Sequence, residues 1–278
     1  MAPLAHTLAL LAMTMATMAN QEKPLDMAQD SFDDQYLGCG PEMTAALPFL
    51  NHSEFQNNPL FARVWVKAMA EWQRRGSRVS PLSSPDQAIA IMAYTMNDLY
   101  QEFNNAVRVA GRSPQEYQDN FHFKTLHFLL TQGLVTLRDT QGPHRRRVYR
   151  GVCGVQYKAQ RGDTIRFGQF ASTSLSKDIA QCFGTDTVFE VHTLHGVDIQ
   201  EFSYIPSEKE VLIPPFETFK VTKVTQAGNK ARIVLNITGT FSKYNCEWLK
   251  GGSIPRAPSH LRGLLLATTA LAVATRIL

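Results

Sequence analysis

With 278 residues, 44% of them apolar, the chain can form one large domain or two small ones, and its net charge of +4 is too slight for a protein built around a polyanion. The basic residues are scattered apart from Arg145-Arg146-Arg147. That triplet has no interleaved aromatics and reads as an exposed turn rather than part of a nucleic-acid-binding stripe.

In chain order, residues 1–19 are apolar and uncharged and close on Thr17-Met18-Ala19, so they read as a signal peptide even though no Lys or Arg opens them. The mature domain is expected over residues 20–252, with a helical part at about 57–133 and a sheet part at about 145–241. Asn58-Pro59 forms a cap before Phe61, Val64, Trp65, Ala68, Met69 and Trp72, which recur at helical spacing and read as core. Ser84-Pro85-Asp86-Gln87 has the form of a capping box and opens a second helix through Tyr94. A third helix is expected from Asp98 to Ala110, and a fourth from Ser113-Pro114 to near Gly133. The histidines of this last run, His122 and His127, read as packed side chains rather than ligands.

After Gly142-Pro143 the period shortens. Strands are expected at 147–152, 164–171, 187–192, 211–213, 216–225 and 231–237, with one short helix over 176–183. Helices first and strands second predict an α+β fold, its helical region packed on mostly antiparallel sheets. The lack of βαβ alternation and of a Gly-x-Gly-x-x-Gly segment argues against a doubly wound dinucleotide fold. Beyond the domain, Gly251-Gly252-Ser253, a polar spacer and the apolar residues 264–278 have the layout of a glycolipid-anchor signal, so 253–278 reads as a removable tail. The alternative is an unprocessed tail on a secreted protein. In an oxidising compartment the four cysteines Cys39, Cys153, Cys182 and Cys246 read as two disulfides, with three possible pairings. Asn51-His52-Ser53 and Asn236-Ile237-Thr238 are glycosylation sequons, which makes Asn51 and Asn236 candidate glycan sites.

The chemistry-bearing stretch is Phe202 to Ile213, an aromatic-tipped turn running into Glu208-Lys209-Glu210 and an apolar strand. Strand alternation would set Glu208 and Glu210 on one face and turn Lys209 away. Two carboxylates held together suit a reaction in which positive charge develops on a sugar. Upstream stand Val148-Tyr149-Arg150-Gly151 and Phe167-Gly168-Gln169-Phe170-Ala171-Ser172-Thr173-Ser174.

This order of Arg, Ser-Thr-Ser and Glu-x-Glu resembles the signature of the arginine-specific mono-ADP-ribosyltransferases, vertebrate ecto-enzymes related to some bacterial toxins. The resemblance spans the helices near Asn58 to the strands ending near Phe241. It implies an NAD cleft between two sheets set at a steep angle, with NAD (NADP being the other candidate donor) as substrate rather than a resident cofactor, and no metal. It implies transfer of ADP-ribose to protein arginines by an extracellular monomer, with no nucleic acid as partner and a lipid anchor as the link to the membrane. Glu210 is expected to stabilise the ribosyl cation, and Glu208 to orient the guanidinium and take its proton. Arg150 suits the pyrophosphate, and Ser172 is expected to fix Glu210. Gln169, Ser203, Tyr94 and Gly151 are further candidates for NAD contact, and Tyr204 for contact with the protein substrate. The resemblance pairs Cys39 with Cys246 and Cys153 with Cys182. Two other readings remain: an NAD glycohydrolase, in which water is the acceptor, and an inactive cell-surface recognition protein.

Overall fold

The computed structural model describes residues 21–251; the expected signal peptide and the expected anchor tail lie outside them, apart from the first of the small residues, Gly251. The helical region holds α1 (Gly40–Asn57), α2 (Pro59–Arg74), α3 (Pro85–Tyr94), α4 (Tyr100–Ala110), α5 (Pro114–Asn120) and α6 (Lys124–Gln141). Serine and asparagine caps act where the sequence places them. Asn58 accepts from the Phe61 amide, Ser84 from Gln87 and Ser113 from Glu116.

Two helical features differ from expectation. Helix α1 is unforeseen; Pro48 stands in its interior, where a proline removes a backbone donor, yet Met43, Ala46, Leu47 and Leu50 keep one face buried. That stripe ends on Glu54, a buried carboxylate that accepts from the backbone amides of Lys124 and Thr125 and so caps α6. The run from Ser113 is also two helices rather than one, broken at Phe121–Phe123, and the second continues past Gly133 to Gln141. Gly133 sits in the helix interior against Ile91, Gln87 and Leu82, where α6 meets α3; tertiary packing overrides its poor propensity.

The sheet region has β2 (Arg146–Val152), β4 (Thr164–Arg166), β5 (Ala171–Ser174), β6 (Thr187–Thr193), β7 (Val197–Asp198), β8 (Glu210–Ile213), β9 (Glu217–Ala227) and β10 (Lys230–Thr240), with α7 (Lys177–Cys182) between β5 and β6. A final short helix, α8, covers Glu247–Lys250. The expected strand over 164–171 is split into β4 and β5. The eight strands run β4-β9-β10-β6-β2-β5-β8-β7, antiparallel except for β10 with β6. A separate parallel pair joins the unforeseen, exposed β1 (Gln21–Pro24) to β3 (Val155–Lys158). β2 and β5 are paired at one position only, Tyr149 with Ser174. The sheet is therefore two strand sets, β4-β9-β10-β6-β2 and β5-β8-β7, joined at a single point.

One core cluster fills the helical region and takes in Phe170, Ile199, Phe202 and Leu212 from the sheet side; a second, with Phe189, Val211, Phe219 and Ile233, lies within the sheet region. Cys39 and Cys246 are bonded, tying the start of α1 to the start of α8. The expected partner bridge is not formed: Cys153 and Cys182 are exposed free thiols. Their segments meet, but the backbone of Gly184 rather than Cys182 lies against Cys153, and the Cys182 thiol donates within α7 to the Asp178 carbonyl. Asn51 lies inside α1 with its Oδ1 buried, and Asn236 is half-buried in β10. Among the described residues no helix is long and apolar enough to cross a membrane.

Candidate active site

Where the two strand sets part, a cavity of about 540 Å³ opens beneath α3 and α4. Its walls include Tyr94 from α3, Asn104 and Arg108 from α4, Arg150 and Gly151 from β2, Gln169 ahead of β5, Ser172 on it, and Glu208 and Glu210. The volume lies within the range of ligand sites.

Glu210 opens β8 and is only 4% exposed. Burial pushes its carboxyl up to about 7, opposed by a hydrogen bond from Ser172, while nearby Glu208 raises it further and Arg150 lowers it. Glu208 ends a 3-10 turn, Pro206–Glu208, and is half-buried; burial raises its carboxyl too. The two carboxylates do share a cavity, but not by strand alternation. Lys209 between them takes left-handed backbone angles (φ 50°, ψ 49°) and projects to solvent, so the chain turns at Lys209 before β8 begins. A lysine there is strained by of the order of 1 kcal/mol, a feature common at functional sites.

The Ser-Thr-Ser segment has three separate jobs. Ser172 bonds Glu210, and its hydroxyl lies 3.2 Å from the Tyr94 hydroxyl. Thr173 donates to the Val211 carbonyl and locks β5 to β8. Ser174 donates to the Glu208 carbonyl at 2.7 Å and so holds the turn. Arg150 donates to the Ser172 carbonyl at 2.6 Å, which aims the guanidinium along the cavity; among the described residues no carboxylate is within ion-pair reach of it. Tyr94 also donates to the Phe170 carbonyl at 2.9 Å and accepts from Asn104; burial pushes its phenol up to about 12, so it remains a neutral donor.

Gly151 is demanded by packing, since a Cβ there would come within 2.2 Å of the Ala180 carbonyl and 2.3 Å of the Gly184 carbonyl. Gln169 is buried at the cavity wall. Ser203 is not brought to the cavity: it is fully buried, and its hydroxyl accepts from the Ile205 amide within the turn. Tyr204 is exposed at the tip of the loop. Sequence reasoning missed the face of α4 that lines the cavity, Tyr100, Asn104 and Arg108. Their i, i+4, i+8 spacing, beside the buried Phe103, Val107 and Ala110, was the available signal. Among the described residues no group of His, Cys, Asp and Glu could hold a metal ion.

A family model for NAD:arginine ADP-ribosyltransferase matches residues 25–243. The NAD(P)(+)–arginine ADP-ribosyltransferase 2 of Gallus gallus is 50% identical over 251 residues, covering 87% of this chain and 80% of that protein. The GPI-linked NAD(P)(+)–arginine ADP-ribosyltransferase 1 of Homo sapiens is 46% identical over 265 residues, covering 89% and 81%. Among solved structures, the eukaryotic mono-ADP-ribosyltransferase ART2.2 superposes with a TM-score of 0.69 at 35% identity, covering 80% of this chain and 98% of that one. Variants of ART2.2 have been solved with NADH and with NAD. On the extent of these matches, the chain belongs to the NAD:arginine ADP-ribosyltransferase family.

Proposed function

We propose that the protein transfers ADP-ribose from NAD to arginine side chains of proteins and releases nicotinamide. The observation that carries this reading is the buried Glu210, bonded by Ser172 and sharing one cavity with Arg150 and Glu208. Nicotinamide in NAD is already cationic, so the C1′–N bond can break with its electron pair passing to the ring nitrogen, and no general acid is required. The electron-deficient ribose carbon left behind is stabilised by the Glu210 carboxylate, which is itself largely shielded from solvent. A guanidinium nitrogen of the acceptor then bonds to C1′ and its proton passes to Glu208, whose burial-raised affinity for a proton suits a base. Arg150, with a planar fork aimed along the cavity, holds the pyrophosphate. Tyr94 and Asn104 position Ser172, and through it Glu210.

Incubating the purified protein with labelled NAD and agmatine tests the reading. Label on agmatine with matching nicotinamide release supports it; nicotinamide release with free ADP-ribose as sole product favours the glycohydrolase. Neither product would leave the recognition protein. The GPI-linked relatives support an extracellular location. The test is release of the protein from intact expressing cells by a phosphatidylinositol-specific phospholipase; a full chain found only in the medium overturns the anchor.

A further inference from the structure

The loop that carries Glu208 is fastened from two sides. On the sheet side, Ser174 Oγ donates to the Glu208 carbonyl and the Leu175 amide donates to the Lys209 carbonyl. On the helical side, Arg75, at the C-terminal end of α2, reaches across to the loop crown. Its Nη1 donates to the Ser203 carbonyl and its Nη2 to the Tyr204 carbonyl, both at 2.8 Å. The guanidinium also lies 5.7 Å from the centre of the Tyr204 ring. Glu71, one turn back on α2, accepts from Arg75 Nε at 2.6 Å, so the fork is aimed before it meets the loop. The Tyr204 amide is taken by Thr95 Oγ1, just past α3.

Resting on the transferase reading above, we infer that Arg75 is a positioning residue for the acceptor arginine: it clamps the loop so that Glu208 and Tyr204 face an incoming guanidinium. The physical basis is a division of anchorage. Glu210 lies within the β5–β8 ladder, opposite Ser174, whereas the hydrogen bonds of the Arg75 side chain go to Glu71, Ser203 and Tyr204. Glu208 lies outside that ladder, at the end of a 3-10 turn and only three residues past Ile205. A planar guanidinium donating to two consecutive carbonyls fixes both the position and the tilt of a loop, which a single point charge does not. Loosening the crown therefore misplaces the acceptor-facing groups and spares the ribose-facing one. Small misplacements of this kind reduce rates steeply, because the reacting atoms must be held near attack geometry.

The test separates the half-reactions. In Arg75→Met, which keeps an apolar stem and removes all donors, KM for agmatine should rise about tenfold or more. KM for NAD and the rate of nicotinamide release without acceptor should stay within about twofold of the parent. Arg75→Lys, which keeps the charge but loses the fork, should fall between parent and Arg75→Met. Glu71→Gln, a half-exposed helix change compatible with folding, should shift the agmatine KM in the same direction by a smaller factor. The inference is overturned if transfer and hydrolysis fall together in the folded variants, or if the agmatine KM is unchanged. A parent that puts no label on agmatine would instead overturn the transferase reading itself.

Discussion

At the scale of single residues, Glu210 and Glu208 differ in what surrounds them, and so in what their loss should do. On the role proposed for it, Glu210→Gln removes the charge that would face the ribose carbon, so transfer and hydrolysis should both drop by ~10²–10³. Since its carboxyl sits at about 7, kcat/KM for NAD in the parent should fall as the pH drops below 7 and the group protonates. The same shift has a consequence for stability. An ordinary glutamate titrates at 4.5, so between 4.5 and 7 the folded protein holds a proton that the unfolded chain releases. That contribution to stability is complete below 4.5 and is lost as the pH rises through 7. Glu210→Gln, neutral throughout, should therefore melt with the parent near pH 5 and above it at pH 8, while being inactive at both. A variant that is inactive because it is misfolded would melt below the parent at both values. On the same reading, Glu208→Gln leaves the charge of Glu210 intact but cannot take the guanidinium proton. It should lose agmatine labelling while still releasing nicotinamide, and parent-level labelling would reduce Glu208 to a solvated acid.

At the scale of elements, the site depends on how closely β2 approaches the segment after β5. Gly151 on β2 has the carbonyls of Ala180 and Gly184 where a side chain would begin, and both are backbone atoms that cannot rotate aside. Gly151→Ala should therefore force β2 and α7 apart, costing about 1–3 kcal/mol as an overpacking change. It should also raise KM for NAD, because Arg150 is the adjacent residue and its bond to the Ser172 carbonyl spans the gap that would widen. Thermal melts and NAD titration of the variant check both effects, and a variant with the parent's melt and KM would show that α7 yields freely. The single pairing of β2 with β5 matters for the same reason. A continuous ladder there would close the cavity, and the polar face of α4 would have nothing to line.

At the scale of the molecule, the bond between Cys39 and Cys246 spans 207 residues, which chain entropy alone values at ~5 kcal/mol. The same ends are also held without it. Buried Asp34 accepts from the amides of Tyr36, Cys246 and Glu247, and Asp33 pairs with the buried Arg166. Replacing both cysteines by serine should therefore lower stability by only ~2–4 kcal/mol and leave a folded, active enzyme. Denaturant midpoints of variant and parent measure this. Unfolding of the variant without denaturant would mean that the Asp34 and Asp33 contacts contribute little.

The sequence by itself determined the α+β order and the caps at Asn58, Ser84 and Ser113, and it offered Arg150, Ser172 and Glu210 as candidates, because those signals are local: a cap needs only its own next turn, and the three candidates stand in short stretches of fixed order. Helix α1 was hidden because Pro48 in its interior speaks against a helix locally, while its burial comes from one apolar face and its Glu54 serves another helix. The polar face of α4 was hidden because a helix stripe does not announce whether it meets solvent or a cavity. Ser203 looked like a ligand contact and is an internal turn bond. Cys153 and Cys182 looked paired, yet Gly184 holds the place beside Cys153. Only the tertiary structure decided how Glu208 and Glu210 come to share one cavity, because that rests on Lys209 in a left-handed turn held by Ser174 on one side and Arg75 on the other. Contacts across 34 and 128 residues leave no pattern in the stretch they shape.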